Sequence, residues 1–289
     1  MIIYLRLLLT AFIWGGTFVA GRMLAGHAGP FASSFWRFAM ASVCLVWLVR
    51  RRQGGLPKLD ARGWIGVCLL GATGIFAYNA FFFTGLQTVP AGRAAVIVAM
   101  NPVFIALFAA LFFKEGLSRL KLAGIALSVS GAATAISRGD IPALFHSAIS
   151  WGDVAIFGCV ASWVSYSLLG KRMMHTLSPL AAVTYSCLTG TLMLFPFAVA
   201  EGMIAATPEY PVCNWLACAY LGVLGTVVGF TWFYEGVKSI GASKAGVFIN
   251  FVPVTAILSG WLLLGEPISP SLLVGGLMVV CGVYLTNRG

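Results

Sequence analysis

Residues 3–24 have the sequence IYLRLLLTAFIWGGTFVAGRML, in which the only charged residues, Arg6 and Arg22, lie near the two ends. A helix that crosses a bilayer needs about 20 consecutive, mostly apolar residues. This stretch satisfies that requirement. A water-soluble helix would need more polar residues than this stretch contains. It therefore predicts a transmembrane helix.

The rest of the chain repeats this composition. Hydrophobic residues make up 60% of the 289 positions and charged residues 9%, against roughly 45–50% and 25% in soluble domains. The connections between apolar runs are short, so no soluble domain is expected. Ten spans are predicted, at 3–24, 32–49, 64–85, 91–113, 119–137, 151–170, 178–200, 214–235, 244–264 and 269–287.

The distribution of Lys and Arg predicts the orientation. With a cytoplasmic N-terminus, fourteen of the eighteen basic residues lie inside, and the exceptions are Arg22, Arg37, Arg93 and Arg138. Positively charged loops stay in the cytoplasm, so both termini are predicted to be cytoplasmic. The net charge of +10 is explained by topology, and no nucleic-acid partner is expected.

The two halves of the chain resemble each other at nearly constant offsets. The matched residues are unusual types, which chance pairing of glycines does not explain: Trp14 with Trp163, Pro30 with Pro179, Pro102 with Pro253, and Glu115 with Glu266. We divide the chain into a five-helix repeat at 1–137, a connecting outer loop at 138–150 and a second repeat at 151–289. An odd number of spans inverts the second copy, and inverted repeats are typical of secondary carriers. The predicted fold is an all-α polytopic membrane protein with ten transmembrane helices in two inverted repeats.

Seven polar or aromatic residues within spans are candidates for lining a substrate cavity between the halves. Such cavities combine apolar walls with a few hydrogen-bonding groups, and buried amides need partners. The alternative for each aromatic residue is lipid contact or core packing. The candidates are Trp14, Tyr78, Asn79, Asn101, Trp163, Tyr166 and Asn250.

Two prolines, Pro102 and Pro253, are predicted to kink the fourth and ninth spans and to act in gating. A proline within a helix frees a carbonyl group one turn earlier. That carbonyl could bind a substrate ammonium group, or Ser and Thr side chains could satisfy it in a plain kink.

Ionisable residues are scarce inside the spans. Every Asp, Glu and His falls in a loop or at a helix end, so no proton or sodium site is expected at the midplane. This favours transport down the substrate's own gradient and disfavours strongly charged substrates. Arg37, in the outer part of the second span, is expected to extend to the interface or to pair with an acid, in a structural role.

Other features have structural interpretations. Gly124, Gly131, Gly275 and Gly282 form small-residue faces for close helix packing, as scaffold or as a dimer contact. Ser118 and Ser269 are placed to cap the helices that follow them. The seven cysteines and three histidines form no ligand cluster, and no protease motif is present. We therefore expect no catalytic residue, no metal and no cofactor.

Several motifs resemble one family over essentially the whole chain. The segments Ile13–Val19 (IWGGTFV), Trp36–Phe38 (WRF), Asn101–Phe104 (NPVF) and Gly265–Ser269 (GEPIS) are similar to those of the EamA type of the drug/metabolite transporter superfamily. Within it, the chain looks most similar to YddG-type exporters of aromatic and other neutral amino acids.

The resemblance implies a cavity lined mainly by helices 1, 3, 4, 6, 8 and 9, with helices 5 and 10 to the side. It implies an exporter of neutral, aromatic amino acids in the inner (cytoplasmic) membrane, as a monomer or weak homodimer in the lipid bilayer. Export of another small neutral metabolite or drug, or a passive channel, remains an alternative.

Overall fold

The computed structural model describes residues 2–25, 27–101, 103–104, 118–140, 149–240, 245 and 247–288. Within these ranges all regular secondary structure is helical. Seven helices are long and apolar enough to cross a membrane, and two further apolar helices are shorter. Helices satisfy their backbone hydrogen bonds internally, as lipid requires, and the chain is a polytopic membrane protein.

The first half contains five helices in the described residues. They are α1 (Ile2–Ala25), α2 (Pro30–Gln53), α3 (Ala61–Leu86), α4 (Ala91–Val98) and α5 (Arg119–Ile136). Helix α3 is α-helical at both ends and π-helical over Gly71–Ala77. The fourth predicted span continues past α4 to helical backbone at Asn101, while Pro102 and 105–117 lie outside the described residues.

The second half contributes five further helices. They are α6 (Trp151–Met173), α7 (Pro179–Ala200), α8 (Val212–Ile240), α9 (Val252–Leu264) and α10 (Pro270–Arg288). Between α7 and α8 lie a short helix, Met203–Ala206, and a 3₁₀ turn, Thr207–Glu209. Helix α8 is π-helical over Tyr220–Val228, and a 3₁₀ segment, Val247–Phe251, precedes α9. Most described helix ends lie within a few residues of the predicted spans, but α8 ends five residues later than the predicted span 214–235, and α9 begins eight residues later than the predicted span 244–264.

Helices α5 and α10 pack along each other through glycines, as predicted. A methyl group added to Gly131 would lie 2.6 Å from the carbonyl oxygen of Gly275, and one added to Gly124 would lie 2.6 Å from that of Gly282. Only a residue without a side chain allows backbones to approach so closely. These glycine faces therefore serve as scaffold within one chain.

Helix α1 runs through the middle of the bundle, against α8 and α9. Its Gly15 faces Thr255 of α9, and its Gly16 faces the Tyr220 ring of α8, with no room for a side chain at either position. The Tyr220 hydroxyl donates a hydrogen bond to the Ile13 carbonyl at 2.8 Å. This close packing fixes the neighbouring residue, Trp14.

Large apolar side chains on the outer faces of the helices are exposed, among them Val43, Leu192, Leu262 and Leu277. Soluble proteins do not expose so much contiguous apolar surface. These faces are suited to contact with lipid tails.

Capping residues set several helix starts. The Ser118 side chain accepts a hydrogen bond from the Lys121 backbone N–H at 3.1 Å, and Ser269 accepts one from Leu272 at 3.2 Å. Both predicted caps are confirmed. A capping box, with Ser150 and Asp153 satisfying each other's backbone N–H groups, begins α6.

Candidate functional site

Each of the two π-helical segments is followed by a residue that lines a central cavity: Tyr78 directly after Gly71–Ala77, and Phe230 shortly after Tyr220–Val228. In a π-helix the hydrogen bond runs from residue i to i+5, and such turns recur at functional sites because they free backbone groups. The carbonyl of Gly225, inside the second segment, accepts a hydrogen bond from the Trp14 indole N–H at 2.9 Å. This bond fixes the orientation of the ring at the wall of the cavity.

The cavity encloses about 550 Å³ of empty space, counted together with its opening. Five of the seven predicted site residues line it, together with residues from α2 and α8. These five are Trp14, Tyr78, Asn79, Asn101 and Trp163.

Aromatic rings form one continuous wall of the cavity. Trp14 and Trp163, from the two halves of the chain, meet edge to face with ring centroids 5.9 Å apart. Phe230 lies 5.7 Å from Trp14 and 5.5 Å from Trp163. Tyr78 lies 5.6 Å from Trp163 and stacks on Phe82 at 6.0 Å. Such a wall suits a planar or apolar group, because ring faces and edges offer large apolar contact area.

Polar groups lie in the same cavity. The Asn79 amide donates to the Ile75 carbonyl at 2.8 Å, and this bond orients its oxygen. Asn101 is 3% exposed, and its Oδ1 has no hydrogen-bond partner among the described residues. The Asn101 oxygen is therefore available as a polar contact in a mainly apolar site, whereas the Asn79 amide is already hydrogen-bonded within the protein.

Arg37 is the residue that the sequence analysis misplaced. Its side chain is not at the interface: it is 5% exposed and lines the cavity. Nη1 donates to Asn79 Oδ1 at 2.9 Å, and Nη2 lies 3.5 Å from Thr226 Oγ1. None of the ion pairs found in the described ranges includes it.

The expectation for Arg37 is therefore wrong. Arg37 of α2 neither extends to the interface nor pairs with a described acid, and it places a positive charge in the lining of the cavity. The lining also extends beyond the helices that the resemblance implied, since α2 contributes. A rule that treats every ionisable residue in a span as functional would have identified Arg37.

The other predicted site residues lie elsewhere. Tyr166 is buried behind Trp163, with ring centroids 5.5 Å apart, and its hydroxyl is 3.3 Å from the Ser186 hydroxyl. Asn250 lies in the 3₁₀ segment before α9, and its side chain is outside what the structure describes.

The predicted kink at Pro253 takes a different form. Pro253 is in the first turn of α9, directly after the 3₁₀ segment, a position where a missing N–H breaks no helical bond. The ninth span therefore changes helix type at this proline instead of bending within one α-helix. Pro102 lies outside the described residues.

The sequence profile of the EamA-like transporter family matches residues 1–137 and again residues 150–288. The two matches together cover almost the whole chain. The chain belongs to the EamA-like transporter family.

Relatives of this EamA-like transporter share its full length. It is 30% identical to the uncharacterized transporter YyaM of Bacillus subtilis, covering 99% of this chain and 93% of the relative. It is 32% identical to a probable terminal-alkyne amino-acid exporter of Streptantibioticus cattleyicolor, covering 98% and 92%, and 27% identical to the uncharacterized inner membrane transporter YedA of Escherichia coli, covering 96% and 88%.

A solved crystal structure superimposes on the EamA-like chain with a TM-score of 0.66 at 20% identity, covering 98% of this chain and 96% of the other. The two share a fold. These comparisons make the chain a multi-pass membrane transporter.

One end of this EamA-like transporter is closed by apolar packing and ion pairs. It is the end where α1, α3 and α7 finish, which the charge distribution predicts to be external. Leu24, Phe83 and Leu86 are fully buried there. The Arg93 guanidinium lies 2.6 Å from the carboxylate of the fully buried Asp153 and joins α4 to α6.

Glu266 extends this closure. Its carboxylate accepts a hydrogen bond from the Ala91 backbone N–H at 3.1 Å and lies 3.8 Å from Arg22, which also donates to the Leu86 carbonyl. Glu266 therefore caps the start of α4 from just beyond the end of α9.

Glu201 lies just beyond α7 at the same end. Its carboxylate accepts a hydrogen bond from the Ala32 backbone N–H at 2.8 Å, at the start of α2. Partial burial raises the pKa of Glu201 above its ordinary value, and hydrogen bonds from the Ala32 and Phe31 backbone partly oppose that shift.

The opposite end is joined by more exposed charges. Arg6 lies 2.8 Å from Glu235, and Arg52 lies 3.7 Å from the same carboxylate. All three side chains are partly exposed, and exposed ion pairs contribute little, about 0–1 kcal/mol. Removing one partner of the Arg93–Asp153 pair at the other end would cost more, because it would leave a buried charge uncompensated.

Proposed function

We propose that this protein is a secondary transporter that exports aromatic and other neutral amino acids across the inner membrane by alternating access. The observation that carries the proposal is the central cavity, in which an aromatic wall faces two amides and one guanidinium. An amino acid presents an apolar side chain together with a charged head, and this lining offers contacts to both.

A relative supports the substrate class. The probable amino-acid exporter of Streptantibioticus cattleyicolor is 32% identical over nearly the full length of both chains. We infer that the two proteins accept substrates of the same class. The wall formed by Trp14 and Trp163 favours amino acids with aromatic side chains. Export of another small neutral metabolite or drug is the alternative within the same family.

Two features support alternating access. The family profile matches twice along the chain, as expected of two repeats that can exchange roles about a central site. The bundle ends also differ: one holds a buried ion pair and the other exposed pairs. We interpret the end that holds the buried ion pair as a closed external gate. We infer that the moving parts are ten transmembrane spans arranged as two inverted repeats.

We further propose that transport follows the substrate's own gradient. None of the described residues that line the cavity is an Asp, Glu or His, and Arg37 does not titrate at working pH. A proton relay needs a titratable group inside the bundle. Transport of a zwitterion is therefore expected to be nearly independent of an imposed pH difference.

The test is uptake by proteoliposomes that contain the purified protein. Labelled phenylalanine, tyrosine, tryptophan, leucine and alanine are offered, with and without a pH gradient, and with unlabelled amino acid preloaded inside. We expect saturable uptake, acceleration by the preloaded substrate, and a preference for the aromatic members. Flux that neither saturates nor accelerates would indicate a passive channel. Accumulation of amino acid against its own gradient, driven by a pH difference alone, would contradict the proposal that transport follows the substrate's gradient.

Trp163→Ala and Trp261→Ala provide a matched pair of variants. Trp163 is 8% exposed and lines the cavity, whereas Trp261 is 55% exposed on the outer face of α9. We expect Trp163→Ala to reduce aromatic amino-acid uptake at least tenfold and Trp261→Ala to leave it within about twofold. Equal effects in the two variants, at equal protein recovery, would remove Trp163 from the site.

A further inference from the structure

Arg37 has more hydrogen-bonding capacity than the described protein uses. A guanidinium carries five N–H donors. One is donated to Asn79 at 2.9 Å, a second makes a long contact to Thr226 at 3.5 Å, and Nε has no partner in the described part of the chain. Buried donors are nearly always satisfied in folded proteins, so a ligand is the natural source of the missing acceptors.

The charge of Arg37 is also unbalanced. Its neighbours are an amide, a hydroxyl and the Phe38 ring, whose centroid lies 4.9 Å from Cζ, and all three are neutral. A buried cation is stable in an apolar interior when an anion pairs with it. The described ranges supply none, so the anion is expected to come from the cavity.

Among the described residues, Asn101 lacks a hydrogen-bond donor, as Arg37 lacks further acceptors. Its Oδ1 is a buried acceptor without a partner within the described ranges, and its side chain lines the same cavity as Arg37. One side chain therefore lacks an acceptor and the other lacks a donor. A carboxylate and an ammonium group on one molecule would supply both.

We propose that Arg37 binds the carboxylate of the substrate and that the Asn101 amide oxygen accepts a hydrogen bond from its ammonium group. The aromatic wall of Trp14 and Trp163 then contacts the substrate side chain. Asn79 acts as a positioning residue, since its bond to the Ile75 carbonyl holds the oxygen that orients the guanidinium. This inference rests on the proposed function and narrows the substrates to molecules with a free carboxylate.

The first test uses the full-length protein and needs no variant. Thermal stabilisation in detergent reports ligand binding, because a ligand that binds only the folded state stabilises it. The probes are phenylalanine, phenethylamine, which lacks the carboxylate, and 3-phenylpropionate, which lacks the ammonium group. We expect phenethylamine to bind at least tenfold more weakly than phenylalanine, and 3-phenylpropionate only a few-fold more weakly. Phenethylamine binding as tight as that of phenylalanine would overturn the proposal.

The second test compares Arg37→Gln with Arg51→Gln. Both remove one positive charge from α2, but Arg51 is exposed at the end of the helix. We expect Arg37→Gln to lose at least tenfold in phenylalanine affinity and to lose the preference over phenethylamine, while Arg51→Gln keeps both. Arg37→Lys should recover part of the preference. Arg37→Gln that stays monodisperse and keeps the preference would contradict the role of Arg37.

Asn101→Leu completes the test. We expect it to remove the advantage of phenylalanine over 3-phenylpropionate while leaving the dependence on the carboxylate intact. A variant that keeps that advantage would contradict the role of Asn101.

The outcomes also separate this inference from the proposed function. If the protein transports no amino acid but binds 3-phenylpropionate through Arg37, amino-acid export is wrong and the anion site stands. If it transports phenylalanine equally with Arg37→Gln, export stands and the anion site is wrong.

Discussion

Replacing Asp153 by Asn should destabilise the closed end of the bundle. The carboxylate lies 2.6 Å from Arg93 Nη2 and accepts hydrogen bonds from the Ser150 backbone N–H at 2.8 Å and hydroxyl at 2.7 Å. It is fully buried. The amide of Asn keeps one acceptor oxygen and the side-chain shape, so the substitution removes mainly the negative charge. Arg93 then remains in a largely buried position without this carboxylate.

The structure sets the size of the effect. Breaking a buried ion pair from one side costs about 3–5 kcal/mol. The Arg93 side chain is 13% exposed and the amide retains an acceptor, so about 2–3 kcal/mol is expected here. In domains of 150–250 residues 1 kcal/mol corresponds to about 2–4 °C in Tm, with less in longer chains, so a decrease of about 4 °C is expected for this chain of 289 residues.

The assay is thermal unfolding in detergent, with Asp60→Asn as the matched control. Asp60 also begins a helix, accepting from the Gly63 backbone N–H at 2.8 Å, but it is exposed and belongs to none of the ion pairs found among the described residues. Asn caps helices about as well as Asp, so the control should change Tm by less than about 1 °C. Equal decreases in the two variants would refute the reasoning, because the loss would then reflect capping alone.

Three further outcomes are expected. Gly131→Leu should lower Tm by several degrees, because the added side chain meets the backbone of the facing helix at 2.6 Å. The control, Ala126→Leu on the exposed face of α5, should leave Tm unchanged. Equal Tm values for the two variants would contradict close packing of α5 against α10 in solution. Trp14→Phe keeps an aromatic ring but removes the N–H donor to the Gly225 carbonyl, and the lost hydrogen bond is worth about 1 kcal/mol. The initial rate of amino-acid uptake should therefore fall several-fold. Unchanged uptake would show that this bond does not position the ring. The pKa of Glu201 is raised by partial burial, so the folded state binds its proton more tightly than the unfolded state. Stability therefore falls as the pH rises above the ordinary glutamate pKa of about 4.3. Glu201→Gln should flatten that dependence of Tm on pH, and an unchanged slope would contradict the shift.

Much of the cavity could be predicted because its residues are unusual in their setting. Trp14, Trp163, Tyr78, Asn79 and Asn101 each put a polar atom or a large ring inside an apolar span. Such residues need a partner or a wet surface in lipid, which the residue type itself indicates. The substrate role of these residues stays a prediction.

Arg37 and Tyr166 could not be placed by the same reasoning. The depth of Arg37 in its span is compatible with a side chain that reaches the interface, and its burial depends on Asn79 and Thr226, which come from other helices. Tyr166 shares a helix face with Trp163 but packs behind it. Trp163 lines the cavity and Tyr166 does not, although the two rings are in contact.

The sequence by itself determined that this chain is helical and spans a membrane, and it determined most helix ends. These properties depend on local composition, because any run of about 20 apolar residues must form a helix in lipid. Only the tertiary structure decided which face of each helix points inward, since almost every face is apolar and carries no signal of its own. The buried position of Arg37 and the Arg93–Asp153 pair both arise from contacts between residues distant in the chain.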